Sequence, residues 1–492
     1  MTAPHEQLTT RDEEAIDVNT PSTWWRSTAL IGGRWRECPQ TCDVENPATG
    51  EVVGRAAVAT AADADDAVVA AQAAGQVWAA STAAQRAAAL GQLAERLRGR
   101  RDELVAATVA EVGAPVTVAE QSHVDLAIEI IDSFARIAAE TPLREQVGNS
   151  ILVRRPAGVV AAITPWNYPV YQLAAKVGAA LAAGCTVVVK PAELTPLGTY
   201  LFCDAVLDTD LPAGAVNLVP GRGSVIGPAL IEHPGVAVVS FTGSTTVGRQ
   251  VGAQAGRLVK RACLELGGKS ASVVLGDADL DAAVRGTVAA AMLNTGQTCS
   301  AWTRLLVPRA RYEEAVALAA ECADALVVGD PTSRGTDLGP LASKAQLIAV
   351  RTMVDDAVAR GARVAAGGTA PVKGLAGGHF HRPTVLADVD RGDPITRDEV
   401  FGPVLVVESH DGDDDAVALA NATEYGLAGA VWSADEERAV DVALRMDTGQ
   451  VDVNGAPFNP LAPFGGWKAS GLGRELGRIG FDECVEWTAV QI

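Results

Sequence analysis

The chain has 492 residues, 60 acidic against 40 basic side chains, a formal charge of −20, and 48% apolar but only 4% aromatic residues. That length supports two or three domains around a large aliphatic core. The acidic excess excludes sequence-independent binding to nucleic acid or anionic lipid, which needs a basic face. Eight scattered cysteines are too few for a disulfide framework and point to a reducing cytoplasm.

Residues 1–23 are polar, carry Asp12, Glu13, Glu14 and Asp17, and lack the basic start and apolar run of a signal peptide, so they read as a mobile tail. The longest nearly apolar stretch, 177–189, is interrupted by Gly178 and Gly184 and is too short to cross a bilayer. Residues 29–53 suggest short strands and turns. Helices are expected over 61–80 and 81–112, where Leu90, Leu93, Leu97 and Leu104 recur at helical spacing behind a Ser81 or Thr82 N-cap and Gly113 closes the run. Another helix should run from Pro115, as its first residue, to 139. A polar segment, 140–149, then leads into the strand-like 150–155, an extension suited to a subunit contact.

From here strands and helices alternate. Strands are expected at 158–163, 186–189, 215–219, 236–241 and 262–266, with helices at 170–183, 198–207, 224–233 and 246–255. Near-continuous apolar strands separated by helices predict a parallel sheet covered on both faces, with ligands at the carboxyl ends of its strands. The beat restarts after Lys269, with strands at 272–275, 304–307 and 326–328 and helices at 280–293 and 312–325, so a second α/β domain begins near residue 268. Residues 367–383 read as a surface excursion, and 416–422 and 436–446 as later helices.

Cys299 lies in Asn294-Thr295-Gly296-Gln297-Thr298-Cys299-Ser300. Gly296 lets the backbone bend and the neighbours are polar, so the thiol can stand exposed at the head of a loop as a nucleophile. The competing reading is an inert buried cysteine. Three motifs end strands of the first domain: Thr164-Pro165-Trp166-Asn167-Tyr168-Pro169, Lys190-Pro191-Ala192-Glu193, and Phe241 through Gly248. All three should face one crevice. In the third, small residues open a helix whose N–H groups can hold a pyrophosphate, and Lys190 and Glu193 can bracket an adenosine ribose. Each alone fits equally a tight turn or a solvated charge.

Together with Leu264-Glu265-Leu266-Gly267-Gly268-Lys269, Glu399-Val400-Phe401-Gly402-Pro403 and Pro463 through Gly471, these motifs appear in an order that resembles the NAD(P)-dependent aldehyde dehydrogenase superfamily, from about Leu30 to the end. The resemblance implies an α/β fold with a Rossmann-like cofactor domain (24–139 and 158–267), an α/β catalytic domain (268–465) and a small oligomerisation extension with bridging elements (140–157 and 466–492). It implies that Cys299 is the nucleophile, that Asn167 and the Cys299 N–H hold the oxyanion, and that Glu265 is the base for thioester hydrolysis. Lys176 and Glu475 match positions that assist proton movement.

For the cofactor it implies Ile163, Thr164, Pro165 and Trp166 at the first strand end, and Lys190, Ala192 and Glu193 at the second. Gly221, Phe241, Gly243, Ser244, Val247 and Gly248 surround the phosphates, and Leu266, Glu399 and Phe401 the nicotinamide half. Glu193 favours NAD over NADP, because a carboxylate near the ribose repels a 2′-phosphate, although NADP use stays possible. Two departures stand out: Thr246 replaces a common Glu, and Ala175 replaces a bulky aromatic, which suggests a roomier substrate tunnel lined also by Tyr168, Tyr171, Gln172, Trp302, Phe458 and Phe464. No histidine falls in any motif, so a carboxylate base is expected rather than a Cys-His pair. His379 and His381 read as surface residues and no metal is expected. The implied partners are a small aldehyde and further copies of the chain, as homodimer or homotetramer, with no nucleic acid or membrane. A coenzyme A-acylating relative and an inactive binding protein of the same fold remain as alternatives.

Overall fold

The computed structural model describes residues 21–492. The tail expected over 1–23 lies outside the described residues up to position 20. Its last residues enter a 3-10 turn, Ser22–Trp24, that buries the Trp24 ring.

Eight strands form the first sheet, in the order Gly471–Leu472, Arg261–Glu265, Val236–Thr242, Val159–Ile163, Thr186–Lys190, Val216–Leu218, Thr28–Ile31, Arg34–Glu37. The central five are parallel and the two edges antiparallel. Val-rich runs such as Thr186–Lys190 are buried at every residue because helices cover both faces. The chain reverses its winding between Val159–Ile163 and Val236–Thr242, the place where open α/β sheets leave a ligand crevice. Register brings the strand ends level: Glu265 lies opposite Thr242, Phe241 opposite Ile163, and Ile163 opposite Lys190.

The helix Pro169–Ala183 leaves that crevice and is buried along its whole length. Its last carbonyl, Ala183 O, accepts from the Arg86 guanidinium at 2.7 Å, and the same guanidinium donates at 3.0 Å to Ala79 O at the end of the helix Ala61–Trp78. Gly184, at φ 86°, leaves the space that this guanidinium fills.

A second sheet of seven strands runs Arg363–Ala366, Thr384–Ala387, Val404–His410, Arg304–Pro308, Ala271–Val274, Gly429–Trp432, Asp452–Val453, parallel except at its first pair. A three-stranded sheet joins Arg144–Val147 and Ser150–Pro156 to the C-terminal Val485–Gln491, with the Arg154 guanidinium 4.2 Å from the Trp487 ring centroid.

Several expectations need correction. The helix over 81–112 is two, Ala83–Gly99 and Arg101–Val112, because Arg100 leaves helical geometry at φ −110°, ψ 12° directly after a glycine. Pro115 precedes its helix rather than starting it, and the run contains a π-helical turn, Ala119–Asp125, between Val116–Val118 and Leu126–Glu140. Residues 326–328 form no strand, only an isolated bridge from Val328 to Leu338. The excursion 367–383 is irregular, yet Phe380 and His381 are buried, so His381 is not a surface residue. The helix Lys344–Ala359 and five strands of the second sheet had not been expected.

Candidate active site

Cys299 follows the helix Leu280–Met292 through a turn in which Asn294, Thr295 and Gly296 all take left-handed backbone angles, φ 52°, 57° and 70°. Three such residues in succession are costly and persist only where surroundings hold them. Here the surroundings are the other motifs. A Cβ on Gly296 would overlap the Gly402 carbonyl, and one on Gly268 would overlap the Cys299 carbonyl oxygen. The cysteine loop is therefore wedged between the Gly267-Gly268 turn and the segment that follows Glu399.

Asn167 supplies the third side. Its Nδ2 donates to Gln297 O at 2.9 Å, and Asn294 Nδ2 donates to Asn167 O at 3.0 Å. The Tyr168 hydroxyl is 2.7 Å from Thr298 Oγ1. Cys299 is partly buried, not fully exposed, and packs against the apolar cluster that contains Tyr168, Tyr171, Ala175 and Phe464. Burial, with the Glu399 and Glu265 carboxylates, pushes its thiol up from the usual value, so the resting sulfur is protonated.

Glu265 ends its strand at 2% exposure, and neither carboxylate oxygen has a hydrogen-bond partner among the described residues. Burial first and the nearby Glu475 second hold its pKa well above the ordinary carboxylate value, against the opposing pull of Lys176 and Arg474. Lys176 is fully enclosed: it pairs with Glu475 and donates to Thr242 Oγ1 at 2.8 Å and Ser240 Oγ at 3.1 Å. Thr242 in turn donates to Gln172 Oε1 at 3.2 Å. Glu265 thus lies buried in the field of the Lys176–Glu475 pair.

At the sheet crevice, Ser244 caps the helix Thr245–Arg257 by accepting from Val247 N, which leaves the first-turn N–H groups facing the strand ends. Leu266 fills the space a Cβ on Gly248 would need, and Gly243 lies against the Phe241 ring. Lys190 and Glu193 converge on Gly223, Glu193 Oε1 accepting from its N–H at 2.8 Å. Lys190 is buried and donates to Pro191 O. Gly221 sits directly before that point, against Ala59. Ala192 lies beside it, partly exposed. Pro165 and Trp166 are partly exposed, and the Thr164 hydroxyl is buried without a partner. The Trp166 ring meets Phe401 edge-on at 5.2 Å. Glu399 Oε1 accepts from Gly268 N at 2.9 Å, and burial raises its pKa to about 7. These donors and open backbone surfaces fit an anionic dinucleotide lying from Glu193 across the Ser244 turn to Glu399.

Not every expected residue joins. Trp302 packs edge-on against Trp432 in the core of the second sheet, apart from the Tyr168 cluster. Phe458 is 37% exposed, its ring 6.1 Å from Phe464. Ala175 is fully buried. Sequence reasoning missed Asn294, Gln297 and Gln346 as supports. Gln297 Oε1 accepts from Ala342 N at 2.8 Å, and Gln346 Nε2 donates to Phe401 O at 2.8 Å. Asn294 carried a usable signal, since asparagine tolerates the left-handed region better than most residues; Gln346 lies on an unremarked helix and carried none.

The aldehyde dehydrogenase family model matches residues 35–490. The chain is 42% identical to a 3-succinoylsemialdehyde-pyridine dehydrogenase of a Pseudomonas species, covering 94% of this chain and 97% of the relative. It is 42% identical to the geranial dehydrogenase of Castellaniella defragrans, over 91% and 95% of the two chains. Among solved structures, aldehyde dehydrogenase C of Pseudomonas syringae, a cysteine-to-alanine mutant in complex with NAD+ and octanal, superposes with a TM-score of 0.94 at 43% identity, over 97% of this chain and 98% of that one. With this match across nearly its whole length, and with the cysteine, asparagine and glutamate motifs meeting at one crevice, the chain belongs to the aldehyde dehydrogenase family.

Proposed function

We propose that this protein oxidises an aldehyde to a carboxylic acid with NAD, through a thiohemiacetal and a thioester on Cys299, and that Glu265 directs water to the thioester. The observation that carries the reading is the wedge itself: the Cys299 loop is held at once by Asn167, by the turn after Glu265 and by the segment after Glu399.

The raised thiol needs a base. In its ionised form, which Lys176 and Arg474 favour against burial, Glu265 takes the thiol proton as sulfur adds to the carbonyl carbon. Negative charge collects on the former carbonyl oxygen, where Asn167 Nδ2 and the Cys299 N–H donate to it. When bound, NAD supplies the hydride acceptor that turns the adduct into a thioester. Lys190 and Glu193 would hold its adenosine end, the Ser244 helix start its phosphates, and Glu399 with Phe401 its nicotinamide half. Having passed that proton to the Lys176–Glu475 pair, Glu265 removes one from water as its oxygen attacks the thioester carbon; the carbon–sulfur bond breaks, the acid leaves, and the thiolate takes the proton back from Glu265. Lys176 and Glu475 carry the proton onward through their contact.

Tyr168, Tyr171 and Phe464 put aromatic surface around the sulfur, which suits an uncharged, apolar aldehyde. Residues 24–139 and 158–267 serve the cofactor and 268–465 the chemistry. Residues 140–157 and 466–492 bridge to a second copy, since Trp487, Val490 and Ile492 are 44%, 45% and 74% exposed along the outer strand of the three-stranded sheet. The eight unpaired cysteines suit a reducing compartment, and among the described residues no helix is long and apolar enough to cross a membrane.

The test is a panel of apolar, aromatic and charged aldehydes with NAD and with NADP, read as reduced cofactor, with and without coenzyme A. Turnover with apolar aldehydes, free acid as product and loss in Cys299→Ala support the reading. Acyl-coenzyme A as the sole product, or reduction unaffected by Cys299→Ala, refutes it.

A further inference from the structure

His123 takes no part in the chemistry above, yet its surroundings tie it to the site. It sits in the π-helical turn Ala119–Asp125 at 0% exposure. Such turns interrupt α-helices where a side chain must be re-aimed, frequently beside functional sites. The imidazole lies almost flat on the Tyr168 ring, centroids 4.3 Å apart and planes 25° from parallel. Burial lowers its pKa to about 3, so the ring is neutral, with one N–H to donate and one nitrogen to accept. Among the described residues neither nitrogen meets a partner at hydrogen-bond geometry, and Asn294 Oδ1 is buried and equally unpartnered. The Asn294 side chain is the polar group that acts on the ring. A buried donor and a buried acceptor, each otherwise unsatisfied, gain from meeting.

Both groups lead to the nucleophile. Asn294 Nδ2 donates to the Asn167 carbonyl at 3.0 Å, and its own carbonyl accepts from Gln297 N at 3.1 Å and Gln297 Nε2 at 3.2 Å. Its left-handed backbone, φ 52°, is part of the bend that delivers Cys299. Tyr168, under the imidazole face, reaches Thr298 Oγ1 at 2.7 Å, one residue before the sulfur. His123 therefore lies between the two struts of the loop, stacked by its face on one and acted on by the side chain of the other.

We propose that His123 is a positioning residue for the oxyanion site: its N–H donates to Asn294 Oδ1 while its ring fixes Tyr168, so that the Asn167 amide and the Cys299 N–H share one orientation toward the reacting oxygen. The inference rests on the roles given above to Asn167 and Cys299. Histidine suits the task because it combines a flat face with an in-plane donor. Phenylalanine would give only the face, and glutamine only the donor.

The experiment compares His123→Phe, His123→Gln, Asn294→Ala and the His123→Phe/Asn294→Ala double variant, with kcat and KM measured on an apolar aldehyde and NAD. His123→Phe is expected to lose about 10- to 100-fold in kcat with KM within about threefold, the pattern of lost orientation rather than lost binding. His123→Gln should recover part of that loss. The double variant should be no slower than the slower single one, because both remove the same link. Wild-type kcat in His123→Phe, or two losses that multiply in the double variant, overturns the proposal. If His123→Phe does not fold, the same cycle is run with His123→Leu, which also lacks the donor, and multiplying losses again overturn it. Failure of the underlying reading is separate: the wild-type protein would oxidise no aldehyde, or Cys299→Ala would retain activity.

Discussion

The Asn167 amide nitrogen lies 2.9 Å from the Gln297 carbonyl oxygen, joining the start of one buried helix to the loop that carries Cys299 two residues later. One amide hydrogen is used in that bond. The second is free to meet an oxyanion, so a single side chain both anchors the loop and stabilises charge.

Removing it should cost both functions. Asn167→Ala is expected to lower kcat by about 10²- to 10³-fold, the range for loss of one oxyanion donor, with a smaller change in KM. Steady-state kinetics decide this. A change confined to KM would place Asn167 in binding alone.

Gly268→Ala tests the wedge without touching a reacting group. The added methyl would meet the backbone oxygen of Cys299, and no side-chain rotation relieves that overlap. The variant should lose about 100-fold in kcat with its circular dichroism unchanged. Wild-type turnover would mean that the loop can shift without penalty.

Glu193 stands beside Lys190 at Gly223, the place assigned to the adenosine ribose. Glu193→Ala should move the ratio of kcat/KM for NADP over NAD upward by about tenfold, because it removes the charge that repels a 2′-phosphate. An unchanged ratio would put the cofactor's adenosine end elsewhere.

Glu111 gives a stability prediction. Its carboxylate accepts from Leu197 N at 2.6 Å and Gly198 N at 2.9 Å, at the start of the helix Leu197–Leu207. Glu111→Ala leaves two buried donors unpaired and should cost about 2–4 kcal/mol in denaturant unfolding. Burial raises its pKa from 4.5 to about 8. The folded chain then holds the proton more tightly than the unfolded one, so this group's contribution is full below pH 4.5 and is lost as pH rises through about 8. Wild-type stability should fall across that window more than that of Glu111→Gln, which cannot titrate.

Much of this was legible in the sequence for identifiable reasons. Strands such as Thr186–Lys190 are unbroken apolar runs that end in Lys190, so both the sheet and the residues at its mouth could be read. Cys299, Asn167 and Glu265 sit in motifs whose glycines are explained by close backbone approach. Supports made by distant residues could not be read. Arg86 looks like one more exposed helical arginine until it caps a helix that ends about a hundred residues later. The short run Leu326-Val327-Val328 is apolar enough for a strand, yet only a loop is present, since three residues do not distinguish the two. Trp302, expected in the lining of the substrate tunnel, has its ring in the core beside Trp432.

The central claim is that Glu265 serves a thioester carried by Cys299. Glu265→Gln mixed with NAD and an apolar aldehyde, followed by intact-mass and peptide analysis, tests it most directly. A burst of NADH equal to the enzyme present is expected, slower than in wild type because Glu265 also takes the thiol proton, then near-arrest, with the acyl mass on Cys299 and on no other cysteine. Undiminished turnover, or an arrested enzyme with no acyl group on Cys299, would contradict it.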